Sequence, residues 1–449
     1  MKNDINNNDR PRFATRFGVI ATTVGSAVGL GNIWRFPYET GANGGGAFLL
    51  LYIFFVIVVG IPVISAEFLV GRESRRNILG AYHSLAPSHR RLWAAAGSLG
   101  IISSVLILSF YSVVAGWTLE YLTEGVTGRL NDFAQGARHA AFDSFTAGWA
   151  CVAWTIVVLL INALILLGGV RKGIERVSNS LMPLLFVILL ALCINSLLLP
   201  GAPDGLKFLF APDFSHVTGR TVLNAMGQAF FSLSLGVGTM MIYGSYFSSK
   251  TPIVKSAATT AVLDTMVAVM AGVLIFPAVF SFGASPAAGP KLVFEVLPDI
   301  FAMMPGGAVW APAFFLLLAL ASITSTISMS EICIAFICEQ WGVRRRTAIA
   351  VNTLIAVCLG SLCALSFGPL ADFKICGFTV FNLFDFLTSN LLMPLGGMFV
   401  AIFTGHVISR SIVDAQLAPA PRRIINAIVF SLRYIAPTAI ALIFVSGLL

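Results

Sequence analysis

The fold of this chain is decided by residues 16–40, RFGVIATTVGSAVGLGNIWRFPYET. The stretch is long enough to cross a bilayer as one helix, which takes about 20 mostly apolar residues. The run GSAVGLGN (25–32) interrupts it at the centre, and each glycine inside a helix costs about 1 kcal/mol relative to alanine. Close helix packing alone would explain the small residues, but the run ends in the polar Asn32, and Arg35 follows. The pattern therefore predicts a membrane helix that is unwound at its midpoint.

A second apolar stretch is interrupted in the same way, at FSLSLGVG (231–238). Unwound backbone leaves carbonyl groups free to bind a cation and N–H groups free to bind an anion. Two such breaks, five helices apart, indicate a transporter built from an inverted repeat. The expected fold is an all-α integral membrane protein in which helices 1–5 are repeated as helices 6–10. The boundaries are a tail at 1–15, repeats at about 16–200 and 219–407, and an extra helix at about 424–448.

Eleven apolar segments of membrane-spanning length follow one another along the chain. They lie at about 16–40, 46–70, 92–124, 147–168, 177–199, 219–248, 254–284, 307–340, 346–367, 377–407 and 424–448. Helices are expected because a helix satisfies its backbone groups within one segment in lipid, and long period-two alternation is missing. The chain is 57% hydrophobic and 11% charged, whereas soluble domains have about 25% charged residues. This composition excludes a disordered chain, a disulfide scaffold and a cytosolic enzyme.

Basic residues are distributed unevenly between alternate loops. One set of loops carries twenty of the 28 Lys and Arg residues, which predicts that this set faces the cytoplasm. With eleven spans the N-terminus is then inside the cell and the C-terminus outside. The net charge of +8 follows from the same rule, so membrane lipid is the expected environment and nucleic acid is not an expected partner.

Several motifs resemble one protein family. Residues 12–52, RFATRFGVIATTVGSAVGLGNIWRFPYETGANGGGAFLLLY, resemble the first two helices of the neurotransmitter:sodium symporter family, in its bacterial amino-acid branch. GQAFFSLSLGVG (227–238), LASITSTIS (320–328) and NLFDFLTSN (382–390) resemble its sixth, eighth and tenth helices, and GVRKGIERVSNSLMP (169–183) the loop into its fifth. The resemblance implies the leucine-transporter-like fold in a bacterial inner membrane. It also implies a symporter, not an enzyme, that imports an amino acid with sodium.

The same resemblance implies two sodium sites beside a central substrate and no organic cofactor. The first site would use the carbonyl of Ala27 and the side chains of Asn32, Ser232 and Asp264, together with the carboxylate of the substrate. The second would use the carbonyls of Gly25, Val28 and Ala321 and the hydroxyls of Thr324 and Ser325. All of these are oxygen donors, as a hard cation requires. Taken alone, the two hydroxyls would be interpreted as bonding back within their own helix.

The implied substrate is a neutral L-amino acid with an apolar or aromatic side chain. Family members that carry monoamines have Asp where this chain has Gly29, and glycine leaves room for a substrate carboxylate. Tyr111 would donate its hydroxyl to that carboxylate. The other expected lining residues are uncharged: Ala27, Gly31, Ile107, Phe231, Ser234, Val237, Ser325 and Met329. Val237 stands where some members have Phe, which favours a bulky substrate.

Charged residues near the membrane have expected roles in chloride dependence and gating. Asp264 stands where many members have Asn, and its carboxylate, with Glu67 nearby, predicts transport that does not depend on chloride. By motif position, the outer gate would pair Arg35 with Asp385 above the substrate, with Phe231 as an aromatic lid. The inner gate would pair Glu339 with Arg10 or, in its place, with Arg12. Phe13 occupies a position that is often Trp.

Three alternatives remain open at this point. A proton-coupled or uncoupled carrier of the same fold would lack the hydroxyls that Thr324 and Ser325 provide. A channel or sensor would share the spans but not accumulate a solute. An enzyme would need a clustered nucleophile and base or a metal motif, and the five histidines lie at loops or helix ends.

Overall fold

The computed structural model describes residues 11–131, 138–286 and 292–448. Within these ranges the regular structure is helical, and the β-type pairings are two isolated bridges, Gly45 with Pro212 and Ile375 with Phe378. The predicted all-α fold class is therefore confirmed.

The membrane segments are labelled α1 to α11 in chain order, and α1 and α6 are each broken into halves a and b. Their bounds are α1a Arg16–Ala27, α1b Gly31–Ala42, α2 Gly46–Ser74, α3 Arg90–Thr127, α4 Trp149–Leu167, α5 Val170–Leu197, α6a Gly219–Ser232, α6b Thr239–Gly244, α7 Ile253–Ser281, α8 Gly307–Trp341, α9 Arg345–Leu365, α10 Val380–Val407 and α11 Arg422–Gly447. Among the described residues, nine helices are long and apolar enough to span a membrane, or ten if the bent halves of α1 count as one. Both halves of α6 are too short to span a membrane alone.

Shorter helices connect the spans. They are Ile78–Leu85, Arg138–Ala147, Ala202–Phe210, Leu292–Val296 with Leu297–Met303, and Arg410–Leu417, besides single turns at Arg129–Asn131 and Phe214–His216. The face of the bundle at which residues 11–15 lie is called the N-terminal face below.

Helix α1 breaks where its glycines are. It begins after Thr15, whose side chain accepts a hydrogen bond from the Gly18 N–H at 2.9 Å, and its first half ends at Ala27. Val28 then has extended backbone, with φ −64° and ψ 115°, and the chain re-enters a helix through a π-helical turn from Gly31. The two halves are inclined by 52°. The predicted unwinding of the first helix is confirmed.

Helix α6 breaks through a run of left-handed backbone. Ser234, Gly236 and Gly238 have φ values of 51°, 81° and 90°, a region that side chains with a Cβ rarely adopt. A Cβ on Gly236 would lie 2.2 Å from the carbonyl oxygen of Met393 on α10, so glycine is also required by packing. The predicted unwinding of the sixth helix is confirmed as well.

Both breaks lie inside a bundle of long helices. Helix α8 packs along α3 and against α5, while α4 and α9 pack on each other and on α3. Helix α1a lies between α5, α7 and α8, and α6b lies against α2 and α8. The unwound segments are therefore enclosed by protein, which supplies partners for backbone groups that could not remain unpaired in lipid.

Candidate substrate and ion site

The two unwound segments meet α3, α8 and α10 around a central pocket. All ten residues that the sequence analysis expects to bind substrate line this pocket: Ala27, Gly29, Gly31, Ile107, Tyr111, Phe231, Ser234, Val237, Ser325 and Met329. The pocket measures about 30 Å³, which is room for one or two water molecules and not for an amino acid. The central pocket of this structure is therefore closed, and the lining residues must move apart before a substrate can bind.

The side chains expected at the first sodium site are joined by hydrogen bonds. Asn32 Nδ2 donates to Ser232 Oγ and to Asp264 Oδ1, both at 2.8 Å. Ser232 Oγ donates to Asp264 Oδ2 at 2.7 Å. All three residues are buried, and Ala27 lines the adjoining pocket. A carboxylate, an amide and a hydroxyl thus meet beside the substrate pocket. The amide turns its nitrogen to the other two groups, and its oxygen accepts from the Gly29 N–H at 3.1 Å. Oxygen atoms of these three kinds are the ligands that a hard cation binds.

The residues expected at the second sodium site join α1 to α8. Ser325 Oγ donates to the Val28 carbonyl at 3.3 Å, and a Cβ on Gly25 would lie 3.5 Å from the Cβ of Thr324. Thr324 Oγ1 donates to the Ala321 carbonyl at 3.0 Å, which is the back-bonding expected of an isolated helical threonine. A hydroxyl that donates within its helix keeps its lone pairs, so this bond is compatible with cation binding.

Gly29 is surrounded by hydroxyl groups. A Cβ on this residue would lie 2.7 Å from both Ser325 Oγ and the hydroxyl oxygen of Tyr111. The Tyr111 hydroxyl accepts a hydrogen bond from the Leu30 N–H at 2.9 Å, which fixes it beside the unwound segment. The absence of a side chain at 29 allows these two hydroxyls to approach the break in α1.

A second cavity of about 500 Å³ lies between the central pocket and the face opposite residues 11–15. The expected outer pair, Arg35 and Asp385, both line it, but they do not pair with each other. Arg35 lies 3.7 Å from Glu39 on the next turn of its own helix and 4.4 Å over the ring of Phe231, and Asp385 accepts a hydrogen bond from Ser389. The Arg35–Glu39 pair forms locally, whereas the Arg35–Asp385 pair would require α1b and α10 to close across the cavity.

Phe231 lines both cavities and so forms part of the partition between them. The guanidinium of Arg35 above its ring is a favourable cation–π geometry that holds the ring in place. This position agrees with the aromatic lid expected from the sequence.

The N-terminal face is closed. Phe13 is buried with edge or tilted ring contacts to Tyr243, Tyr246 and Phe247, which follow the break in α6. The Phe13 N–H also donates to the Tyr246 carbonyl at 3.2 Å. The ring contacts and this backbone bond together anchor the tail at Phe13. Of the expected inner pair, Arg10 lies outside the described residues. Glu339 accepts hydrogen bonds from the backbone and side-chain nitrogens of Asn77, both at 2.7 Å.

Several residues make contacts that no local feature of the sequence predicts. Gln228 Nε2 donates to the Gly31 carbonyl at 2.9 Å and so joins α6a to the break in α1. Glu67, expected near Asp264, accepts a hydrogen bond from the Gly236 N–H at 2.8 Å in the break of α6. Met393 of α10 lines the central pocket, and no local sequence feature marks it. The sequence does mark Glu67 as a candidate functional residue, because an acidic side chain inside a membrane is energetically costly.

A buried ion pair also lies on the N-terminal face. Arg345 at the start of α9 donates to both carboxylate oxygens of Glu331 on α8, at 2.9 and 2.6 Å. Tyr246, which follows α6b, donates to the same carboxylate at 2.7 Å. Three segments are joined at this point, and the intramembrane acid Glu331 was again the available signal.

Comparison with known proteins places the chain among sodium-dependent transporters. The family model described as the sodium:neurotransmitter symporter family matches residues 10–137 and 143–449. The sodium-dependent transporter YhdH of Bacillus subtilis is 38% identical over 97% of each chain, and a sodium-dependent transporter of Haemophilus influenzae is 33% identical over 99% of each. The bovine sodium-dependent dopamine transporter is 25% identical, over 86% of this chain and 62% of its own.

A solved structure matches over nearly the whole chain. It is the crystal structure of MhsT in complex with L-phenylalanine, which is 42% identical and has a TM-score of 0.90. The match covers 98% of this chain and 100% of that one. The expected resemblance is therefore confirmed, and this multi-pass membrane protein belongs to the sodium:neurotransmitter symporter family, a family of transporters and not of enzymes.

Proposed function

We propose that this protein is a sodium-coupled symporter that imports a neutral, bulky apolar or aromatic L-amino acid by alternating access. The observation that carries the proposal is the central pocket, in which Gly29 and Tyr111 lie next to the cluster of Asn32, Ser232 and Asp264. A substrate carboxylate placed at Gly29 would be shared between the Tyr111 hydroxyl and a sodium ion at that cluster. Sharing one charge makes each ligand bind better in the presence of the other, which is the basis of coupling.

The side-chain part of the pocket supports an apolar substrate. Ile107, Phe231, Val237, Met329 and Met393 are apolar and line it together. Burying a charged substrate side chain among them would leave that charge unpaired at high cost. The solved relative MhsT was crystallised with L-phenylalanine, and an aromatic amino acid is the first candidate for this chain too.

The transport cycle starts from the closed central site with a cavity on one side. We assign the N-terminal face to the cytoplasm, in line with the distribution of basic residues. Substrate and two sodium ions would enter through the cavity that contains Arg35 and Asp385, which would then pair above Phe231. Release on the other side requires α1a to move away from α5 and α8.

Uptake into proteoliposomes tests the proposal. Radiolabelled phenylalanine should accumulate against its gradient when sodium is outside and should not when potassium replaces sodium. Equal accumulation with potassium and an imposed pH gradient would favour a proton-coupled carrier and would refute sodium coupling.

A double variant tests the second sodium site. Replacing Thr324→Val and Ser325→Ala removes two hydroxyl donors while keeping side-chain volumes nearly the same. Sodium-driven accumulation should be lost although the protein remains folded by size-exclusion chromatography. Thr123→Val is a matched control, since its exposed hydroxyl bonds only to the Leu119 carbonyl of its own helix, at 2.8 Å. Retained accumulation in the double variant would argue against this site.

A further inference from the structure

The beginning of α1a is held by a carboxylate from another helix. Both oxygens of Glu175, the last residue of the π-helical start of α5, accept from the Ala14 N–H, at 3.1 and 2.9 Å. Oε1 also accepts from the Thr15 N–H at 3.1 Å and from the Thr15 hydroxyl at 3.3 Å. These N–H groups lie at the N-terminus of α1a, where the helix dipole adds to their attraction for a negative charge. Glu175 is 4% exposed, so little water competes for them.

The chain makes room for this carboxylate. A Cβ on Gly18 would lie 1.9 Å from Glu175 Oε1, and no backbone angle in the left-handed region explains a glycine there. The Thr15 hydroxyl accepts a hydrogen bond from the Gly18 N–H and donates to Glu175. Glu175 thus holds Thr15, and Thr15 in turn caps the first turn of α1a. A side chain at 18 would therefore displace the Glu175 carboxylate from its present position.

A second contact between the same two segments supports the arrangement. Arg171, one turn earlier in the π-helical start of α5, donates from Nε to the Arg12 carbonyl at 2.7 Å. The start of α5 thus binds the chain at residue 12 and again at residues 14 and 15. On the other side, Phe13 is held by the aromatic rings that follow α6b.

We propose that Glu175 is a positioning residue of the transport cycle, whose carboxylate holds α1a against α5 and so keeps the N-terminal face closed. The proposal rests on the proposed function, because α1a has to leave α5 when the site opens to the cytoplasm. Opening then breaks the hydrogen bonds from residues 14 and 15 at once. Weakening them shifts the population toward the state open at the N-terminal face, without any change at the substrate or sodium ligands.

Hydrogen–deuterium exchange of the full-length protein in lipid nanodiscs measures this opening directly. Glu175→Gln removes the charge at nearly constant size, and Gly18→Ala displaces the carboxylate sterically without altering it. Each should speed amide exchange in peptides covering residues 12–27 by about tenfold, the effect of losing charge-assisted bonds at a helix N-terminus. Lys172→Gln is the control, because it removes a charge from an exposed residue of the same π-helical segment and should leave exchange unchanged.

Two further readouts separate positioning from a general structural role. The double variant Gly18→Ala/Glu175→Gln should exchange no faster than either single variant, because each single change already removes the same interaction. The sodium concentration for half-maximal uptake should rise several-fold in each variant, because sodium binds the state closed at this face. Exchange in peptides of α3 should stay at the wild-type rate.

The outcomes decide the proposal in either direction. Faster exchange limited to residues 12–27, non-additive in the double variant, supports it. Unchanged exchange, additive effects, or faster exchange that extends to α3 would overturn it, the last because Glu175 would then stabilise the whole bundle. Exchange is measured without substrate, so a wild-type protein that fails to take up amino acids would refute the proposed function and leave this result intact.

Discussion

Single residues at the centre of the bundle are constrained by the chemistry of their neighbours. Gly29 borders two hydroxyls at a distance that a side chain would violate, and Asp264 brings a carboxylate to the amide of Asn32 and the hydroxyl of Ser232. Gly29 thus lies among uncharged hydroxyl groups, whereas Asp264 brings a carboxylate to its neighbours. Each supports a different prediction.

Replacing Gly29→Asp should abolish amino-acid uptake. The new carboxylate would occupy the proposed place of the substrate carboxylate and repel it, and like charges in contact cost several kcal/mol, a loss of at least about 100-fold in affinity. Binding of radiolabelled phenylalanine to the purified variant measures the effect. Gly227→Ala is the control, because nothing lies within 4 Å of a Cβ at that position. Phenylalanine uptake by the Gly29 variant would contradict the assignment of the carboxylate position.

Replacing Asp264→Asn should make uptake depend on chloride. The variant keeps the shape of the site but lacks the negative charge that would balance sodium beside a substrate carboxylate, and a bound chloride would supply it. Uptake is compared in chloride and in gluconate at constant sodium. Wild-type uptake should be equal in the two salts. A variant with wild-type rates in gluconate would mean that Asp264 does not supply the charge.

At the scale of elements, the broken helices are stabilised by tertiary contacts. The break in α6 combines three left-handed residues with the Glu67 carboxylate on the Gly236 N–H and with α10 packed directly against the backbone. The break in α1 is supported by Gln228 from α6a and Tyr111 from α3. Neither break would persist in an isolated helix, because its unpaired backbone groups would be costly in lipid.

Replacing Gly236→Ala should destabilise the protein. Left-handed backbone costs an alanine about 1 kcal/mol or more, and the methyl group would lie 2.2 Å from the Met393 carbonyl oxygen, so α10 would have to shift. A lower midpoint of thermal unfolding in detergent, accompanied by loss of uptake, is expected. Gly227→Ala, inside the helical part of α6a, should leave the midpoint unchanged or raise it. Equal midpoints for the two variants would contradict the role of the break.

At the scale of the whole molecule, the two faces differ. The opposite face has a cavity in which Arg35 and Asp385 are apart, whereas the N-terminal face is closed by Phe13 among aromatic rings and by the pair of Glu331 with Arg345. The closed face joins α1, α5, α6, α8 and α9, so it stabilises the assembly as a unit.

Breaking the Glu331–Arg345 pair should have asymmetric effects. The Glu331 side chain is fully buried, while that of Arg345 is 31% exposed. Arg345→Met leaves a buried carboxylate without its cation and should cost about 3–5 kcal/mol, whereas Glu331→Gln leaves an arginine that reaches water and should cost less. Thermal unfolding of both single variants and of the double variant measures this. The double variant should be more stable than Arg345→Met alone. A double variant less stable than Arg345→Met would contradict the pairing.

The amino-acid sequence by itself determined the fold class and most of the central site. Apolar segments of membrane length and glycine runs at 25–32 and 231–238 are local features, and a membrane leaves few folds compatible with them. The motifs around Gly29 and Tyr111 were specific enough to predict ten of the twelve residues that line the pocket as substrate-binding, and Ser232 as an ion ligand. The sequence could not place Met393, Gln228 or Glu175, because their roles come from contacts with residues far away in the chain.

Only the tertiary structure decided the state of the molecule and the partners of its charges. Arg35 pairs with Glu39 and not Asp385 because α1b and α10 are apart, and Glu67 accepts a hydrogen bond in the break of α6 because α2 packs against that segment. Composition and periodicity report which residues face lipid, protein or water. Which of several possible partners a buried charge meets depends on the relative positions of helices, and those positions are set by contacts between segments far apart in the chain.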